Sequence, residues 1–355
     1  DCHWKENWEQ TRERFVAWWR GEGLVLHVTA PRDKPLIDLP EPEPPADLRL
    51  FWLDPVYRAR KAEYELAHTY FGAEAFPYFD THIGPGNLAL FIGSTPRYTP
   101  TTVWYEPCID DPDHAPLLRF DPQNIHFREQ LAIIEEGLRL SQGRFLVGMP
   151  DLIENLDTLA SLRGTQNVMM DIRLRPDFVK EKISEINQAF FDAFTALYEV
   201  IHDPWGGNAF SAFKIWGPGK TAKVQCDALA MISPKMFDEF VAPALAEQCR
   251  WLDYSVFHLD GTQCMVHLDH LLAIEGLNAI EWTPQVSVPG GGDAQWYDLY
   301  RRIRAGGKSV QAIGVKPHEV IPLIEAVGPQ GLYIMVHAES EIQARALAAQ
   351  VERYR

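Results

Sequence analysis

The stretch YSVFHLDGTQCMVHLDH, residues 254–270, gathers His258, His267, His270, Asp260, Asp269 and Cys264. Imidazole nitrogens, carboxylate oxygens and thiolates hold zinc and other divalent ions, and the first two also carry protons in acid/base catalysis. His258 and Asp260 stand two residues apart at the end of an apolar run, so in a strand both side chains project to one side, ahead of a turn at Gly261. His267, Asp269 and His270 fall in MVHLDHLL, whose spacing predicts a helix, and Cys264 suits a small buried hydrophobe. The chemistry is therefore expected at His258 and Asp260, with the later residues in supporting positions.

Polar residues close other apolar runs in the same way: Asp80 and His82 after AFPYF, Asp151 and Asn155 after FLVGMP, and Lys214 and Trp216 in FKIWGPG. Glu281 and Trp282 follow NAI, and His337 and Glu339 follow LYIMV. Like charges converging on one cleft are costly unless a metal, a proton or a cationic substrate neutralises them, which makes such a set a candidate site. Asp80, His258 and His337 are the expected catalytic groups. His82, Asp151, Asn155, Lys214 and Glu281 are expected to contact substrate, with Trp216 and Trp282 as stacking surfaces.

These residues need a scaffold that brings many strand ends together. From residue 54 onward short apolar strands alternate with helices: AFPYFD, RFLVGMP, AFSAFKIW, SVFHLD, LNAIEW, SVQAIG and LYIMVHA, with one more from residues 86–106. About eight such units in one chain predict an α/β fold of a single (β/α)8 TIM barrel, whose active site lies at the carboxyl ends of the strands. GPGK at 217–220 and GGG at 290–292 lack the spacing of a dinucleotide or phosphate loop, which argues against a doubly wound sheet. Residues 54–355 are the expected barrel and 1–53 an amino-terminal helical and loop extension wrapping it. The proline-rich PLIDLPEPEPPADL, residues 35–48, cannot form a regular element and is expected to cover the cavity.

The chain has 355 residues, 46% hydrophobic and 23% charged, and a net charge of −16. Nucleic acid and anionic membrane are unsuited partners for that charge, which leaves a small molecule as the expected ligand. No apolar run is long enough to span a bilayer, and DCHWKENWEQ has neither the basic start nor the apolar middle of a signal peptide. The five cysteines are widely spaced and unpaired in pattern, which suits a reducing compartment, so the expected location is cytoplasmic. Trp4, Trp8, Trp18 and Trp19, at helical spacing, suit either a core or a contact between two copies in a homodimer.

Several motifs fall in a familiar order. VGMPDLIENLDTLASLRG, ISPKMFDEFVAPAL with its Ser-Pro-x-x-Phe-x-x-Phe-x-x-Pro pattern, FHLDG and GVKPHEVI together resemble the uroporphyrinogen decarboxylase superfamily over residues 60–353. That superfamily joins the decarboxylase with zinc-dependent, corrinoid-linked methyltransferases on one barrel. The resemblance to the methyltransferases sets His258 and Asp260 at their His-x-Cys zinc motif, with His337 or Glu339 near their second cysteine. It implies one divalent metal, zinc first, with oxygen ligands also admitting harder ions, and a corrinoid protein as partner. The resemblance to the decarboxylases makes Asp80, in YFDTHIGP, the counterpart of their catalytic aspartate and sets His337 near their histidine. Arg32 is the sole match to their carboxylate-gripping arginines, so uroporphyrinogen itself is not the expected substrate.

Two functions follow. One is a metal-assisted methyltransferase acting on a small molecule. The other is a decarboxylase or lyase that needs no cofactor, with Arg32 and Lys214 orienting a small carboxylated substrate. A barrel that binds without catalysis is the remaining alternative.

Overall fold

The computed structural model describes residues 2–355. Its main layer is a seven-stranded sheet in the order Thr69–Ala73, Leu24–Pro31, Leu332–His337, Ser309–Val315, Ala279–Thr283, Tyr254–Asp260, Thr221–Gln225. The last six are mutually parallel, and Thr69–Ala73 is an antiparallel edge. Parallel strands covered on both faces must be apolar on both. Accordingly Ala279, Ile280, Trp282, Leu332, Tyr333 and Ile334 are all buried.

Shorter pieces continue from Thr221–Gln225. The Asn208 side-chain amide accepts from the Thr221 amide (2.9 Å) and donates to its carbonyl (3.0 Å), as a neighbouring strand would. Met149 bridges Phe210 in parallel, and Tyr78–Phe79 pairs in parallel with Leu146–Val147. The fold is thus mixed α/β around a large parallel sheet.

Helices cover the outer faces. Pro176–Ile201 starts with proline at its first turn, where the missing N–H costs nothing, and buries Val179, Ile183, Ile186, Phe190, Phe194, Leu197 and Ile201 along one stripe. Trp8–Trp19 buries Trp8, Phe15, Trp18 and Trp19. The Trp18 indole donates toward the carbonyls of Val310 (3.4 Å) and Gly331 (3.2 Å), at the amino-terminal ends of two strands. These tryptophans belong to the core of this chain.

Three expectations differ from the structure. Leu24–Pro31 is not outside the sheet: it is hydrogen-bonded between Leu332–His337 and Thr69–Ala73, so part of the supposed extension is a sheet strand. AFSAFKIW is not one strand but a hairpin, Asn208–Phe210 against Ile215–Gly217, and the sheet strand here is Thr221–Gln225. Residues 86–106 add no strand to the main sheet, since Leu88–Phe91 is a short helix and Thr95–Tyr98 pairs with Val103–Glu106 in a hairpin of its own.

The tip of the Asn208–Gly217 hairpin is held from three sides. The Tyr78 hydroxyl donates to the Ser211 carbonyl (2.7 Å), the Gln311 amide to the Phe213 carbonyl (2.7 Å), and the Tyr333 hydroxyl to the Lys214 carbonyl (2.5 Å). Phe213 and Lys214 take φ of 60° and 53°, a left-handed conformation that costs non-glycine residues about 1–3 kcal/mol each. Hydrogen bonds from three separate strands hold that strain in place.

Candidate active site

Two groups of side chains meet at the carboxyl ends of the strands, one on each side of this hairpin tip. The first is Asp227, His258 and Asp260, which can each offer a ligand atom within 4.8 Å of the others. His258 and Asp260 share strand parity on Tyr254–Asp260, and Asp227 stands two residues past the end of the neighbouring Thr221–Gln225.

Wholly buried Glu281, on the adjoining strand, binds His258 Nδ1 at 2.5 Å and itself accepts from Thr283 Oγ1 at 2.6 Å. His258 Nε2 is thereby turned toward Asp260, 3.8 Å away. Phe213 lies against the imidazole with ring centroids 4.8 Å apart. Burial disfavours the His258 imidazolium, but the hydrogen bond and charge of Glu281 outweigh it and raise its pKa. Burial, reinforced by the charge of Asp157, pushes Asp227 up to about 6.

An imidazole fixed by a carboxylate, with its other nitrogen facing two further carboxylates, is a donor set that fits a divalent cation. Two oxygens and one nitrogen suit Zn, Mn or Fe. Placed there, a cation would also offset the desolvation and the neighbouring negative charge that together raise Asp227.

Asp227 continues into a polar network. Its backbone amide donates to Asp157 (2.7 Å), which also takes the Gln225 side chain (3.0 Å). Lys223, inward on the same strand, binds Asp151 (2.8 Å) and the side-chain amide oxygen Oε1 of Gln225. A cavity of about 580 Å³, lined by Trp104, Tyr105, Ile153 and Thr158, opens onto Asp157, Gln225 and Asp227.

The second group lines a larger cavity of about 900 Å³ containing His27, Asp80, His82, Lys214 and His337, with walls from Trp52, Tyr57, Phe71, Phe76 and Tyr78. Asp80 binds His82 Nδ1 at 2.6 Å. Burial would raise the Asp80 pKa, yet hydrogen bonds from His82 and Ser211 overcome it and hold it down at about 2. Glu41, Pro42 and Pro44 of the proline-rich loop form part of the wall, tied by the Lys61–Glu41 pair (2.6 Å), as the sequence leads one to expect.

The remaining expected residues fall as follows. His337 lines the larger cavity, 3.1 Å from Thr29 Oγ1, and Glu339 is exposed with its amide on Gln343, so neither belongs to the Asp227–His258–Asp260 group. Arg32 faces the ring of Tyr70 and lines neither cavity. Asn155 is buried and donates to the Val241 carbonyl. Trp216 is buried against Trp8, with its indole on Asp203, and Trp282 is buried against Trp296, so neither offers a stacking surface. His267 bonds the Leu229 carbonyl, Asp269 pairs with Arg302, and His270 pairs with Asp238, all in supporting positions.

Asp227, Lys223, Gln225, His27 and Phe213 were not among the expected site residues. TAKVQCD carries a signal for three of them: its strict alternation ends in an acid, as at SVFHLD.

Among the described residues no helix is long and apolar enough to cross a membrane. No family model and no curated protein matches the sequence. Among solved structures, a methyltransferase from Methanosarcina mazei is similar over 97% of this chain and 99% of its own, with a TM-score of 0.62 and 13% identity. At that identity the likeness is one of fold, and it extends over nearly the whole of both chains.

Proposed function

We propose that the chain is a metal-assisted methyl or related alkyl transferase of the uroporphyrinogen decarboxylase superfamily, built on a closed (β/α)8 barrel. Closure is supported by the run of pairings from the sheet through Asn208–Phe210 and Met149 to Tyr78–Phe79. The full-length likeness to a methyltransferase points the same way.

The observation that carries the function is the grouping of Asp227, His258 and Asp260 with Glu281 behind the imidazole. Bound there, a divalent ion, zinc or a harder one, would supply Lewis acidity to the heteroatom that gives or receives the alkyl group. Asp227, His258 and Asp260 would hold it, Glu281 would keep the His258 nitrogen aimed, and Phe213 would shield that face from water. In the larger cavity Asp80 orients His82, which carries the proton exchanged with substrate. A corrinoid protein as alkyl carrier, a homodimeric state and a cytoplasmic location are parts of this reading.

A second reading, a decarboxylase or lyase that needs no metal, is favoured by the gathering of Asp80, His82, Lys214 and His337 in a cavity that does not include the three ligands. Elemental analysis of the purified chain separates the two. Metal near one equivalent is expected, falling at least about tenfold in His258→Ala, Asp227→Asn and Asp260→Asn. His270→Ala and His337→Ala should retain it. A wild-type chain that holds no metal after supplementation sinks the first reading and leaves the second.

A further inference from the structure

The larger cavity contains several cationic side chains, and all but one are engaged. The Arg58 guanidinium donates to the carbonyls of Trp52 (2.6 Å), Asp80 (3.2 Å) and His82 (2.9 Å). Lys61 is paired with Glu41 (2.6 Å) and Glu65 (3.3 Å). Lys214 has no ion pair or hydrogen bond to its ammonium among the described residues, and its one charged influence that favours protonation is Asp80, already bound by His82. Burial lowers its pKa, as expected of a cation withdrawn from water without an anion beside it.

The chain goes to some length to place this lysine. Its backbone is held left-handed at the hairpin tip, with its own carbonyl fixed by Tyr333 and that of Phe213 by Gln311. On the same lining, His27 is 2% exposed and its Nε2 has no partner, a buried polar atom that an occupant's polar end would satisfy. The walls around them are aromatic: Trp52, Phe71, Phe76 and Tyr78.

We propose that this cavity binds an organic carboxylate with an apolar, ring-sized body, the carboxylate anchored on Lys214 beside His27 and the body against the aromatic walls. The inference rests on the alkyl-transfer reading only in treating this cavity as the substrate's side of the site. A half-buried ammonium with no partner, set in an aromatic-walled cavity, selects an anion over a neutral or cationic isostere because either alternative leaves it uncompensated. The apolar walls select a body with little hydration to lose.

The test is calorimetric titration of the full-length chain with 2-naphthoate, 2-naphthamide and 2-naphthylmethylamine, which share a ring system and differ in charge. Naphthoate is expected to bind at least about tenfold more tightly than either isostere, a difference of about 1.4 kcal/mol. Lys214→Met should remove most of that preference with an unchanged thermal melt, and Lys214→Arg should keep it. Equal binding of naphthamide, no binding of naphthoate to the wild type, or undiminished naphthoate binding by folded Lys214→Met overturns the proposal.

Asp260→Asn is predicted to lose metal and still bind naphthoate, so the two proposals fail separately. Metal without naphthoate binding ends this one alone, and naphthoate binding without metal ends only the alkyl-transfer reading.

Discussion

Glu154 is 1% exposed, with Oε1 accepting from the Gln225 amide at 2.8 Å and Oε2 without a partner. The residues on either side, Ile153 and Asn155, have φ of 52° and 56°, so the carboxyl is turned inward on a strained segment. Burial pushes its pKa up to about 8, with Asp151 and Asp157 adding to the rise and Lys223 and the Gln225 amide opposing it. An acid whose folded pKa lies above its unfolded value costs nothing below the unfolded pKa, where both states are protonated. Its penalty grows as pH rises from the unfolded value and is complete above the folded one. At about 1.4 kcal/mol per pKa unit the penalty at alkaline pH is on the order of a few kcal/mol. Glu154→Gln should therefore melt at a higher temperature than wild type at pH near 9, with the advantage shrinking toward pH near 5. Parallel melting curves across that range would show that Glu154 does not carry this penalty. The same scale explains why Asp227 escaped a reading of the sequence while Asp260 did not. Both follow alternating runs, but TAKVQ places lysine and glutamine at its inward positions, and a buried lysine there is made tolerable by its pair with Asp151 and its bond to Gln225 Oε1.

The hairpin Asn208–Gly217 is the element that organises both groups, since its tip sets Phe213 against His258 and Lys214 into the larger cavity. Its conformation could not be read locally. FSAFKI contains no glycine, asparagine or proline to mark a turn, and two adjacent left-handed residues, Phe and Lys, are favoured by no local propensity. The arrangement persists because Tyr78, Gln311 and Tyr333, remote in sequence, satisfy the tip's carbonyls. Tyr333→Phe deletes one of these bonds within a wholly buried setting and should cost about 1–3 kcal/mol in urea denaturation. It should also weaken naphthoate binding, because the Lys214 backbone is then free to relax toward an ordinary conformation. A variant with unchanged stability and unchanged binding would mean that the tip is held by packing alone.

At the scale of the whole molecule, the amino-terminal helix is part of the main core. Trp18 is fully buried, its ring edge-on to Tyr333 at 5.3 Å and its indole on two strand carbonyls. Trp18→Ala should destabilise the entire chain by about 3–5 kcal/mol, lowering one cooperative unfolding transition. A separate early transition would instead mark this helix as an independent appendage. By itself the sequence determined the α/β class, the alternation of strand and helix, the place of Glu41, Pro42 and Pro44 beside a cavity and the common facing of His258 and Asp260 at a strand end. All of these rest on local periodicity or on the parity of neighbours in one strand, which a linear pattern records. Tertiary structure alone decided that Leu24–Pro31 joins the sheet, that Asp227 rather than His337 or Glu339 stands beside His258, and that Trp216 and Trp282 are core residues. Those outcomes depend on which strands lie side by side and which side chains face a common centre. Such distances are set by packing between segments far apart in the chain, and no local pattern carries them.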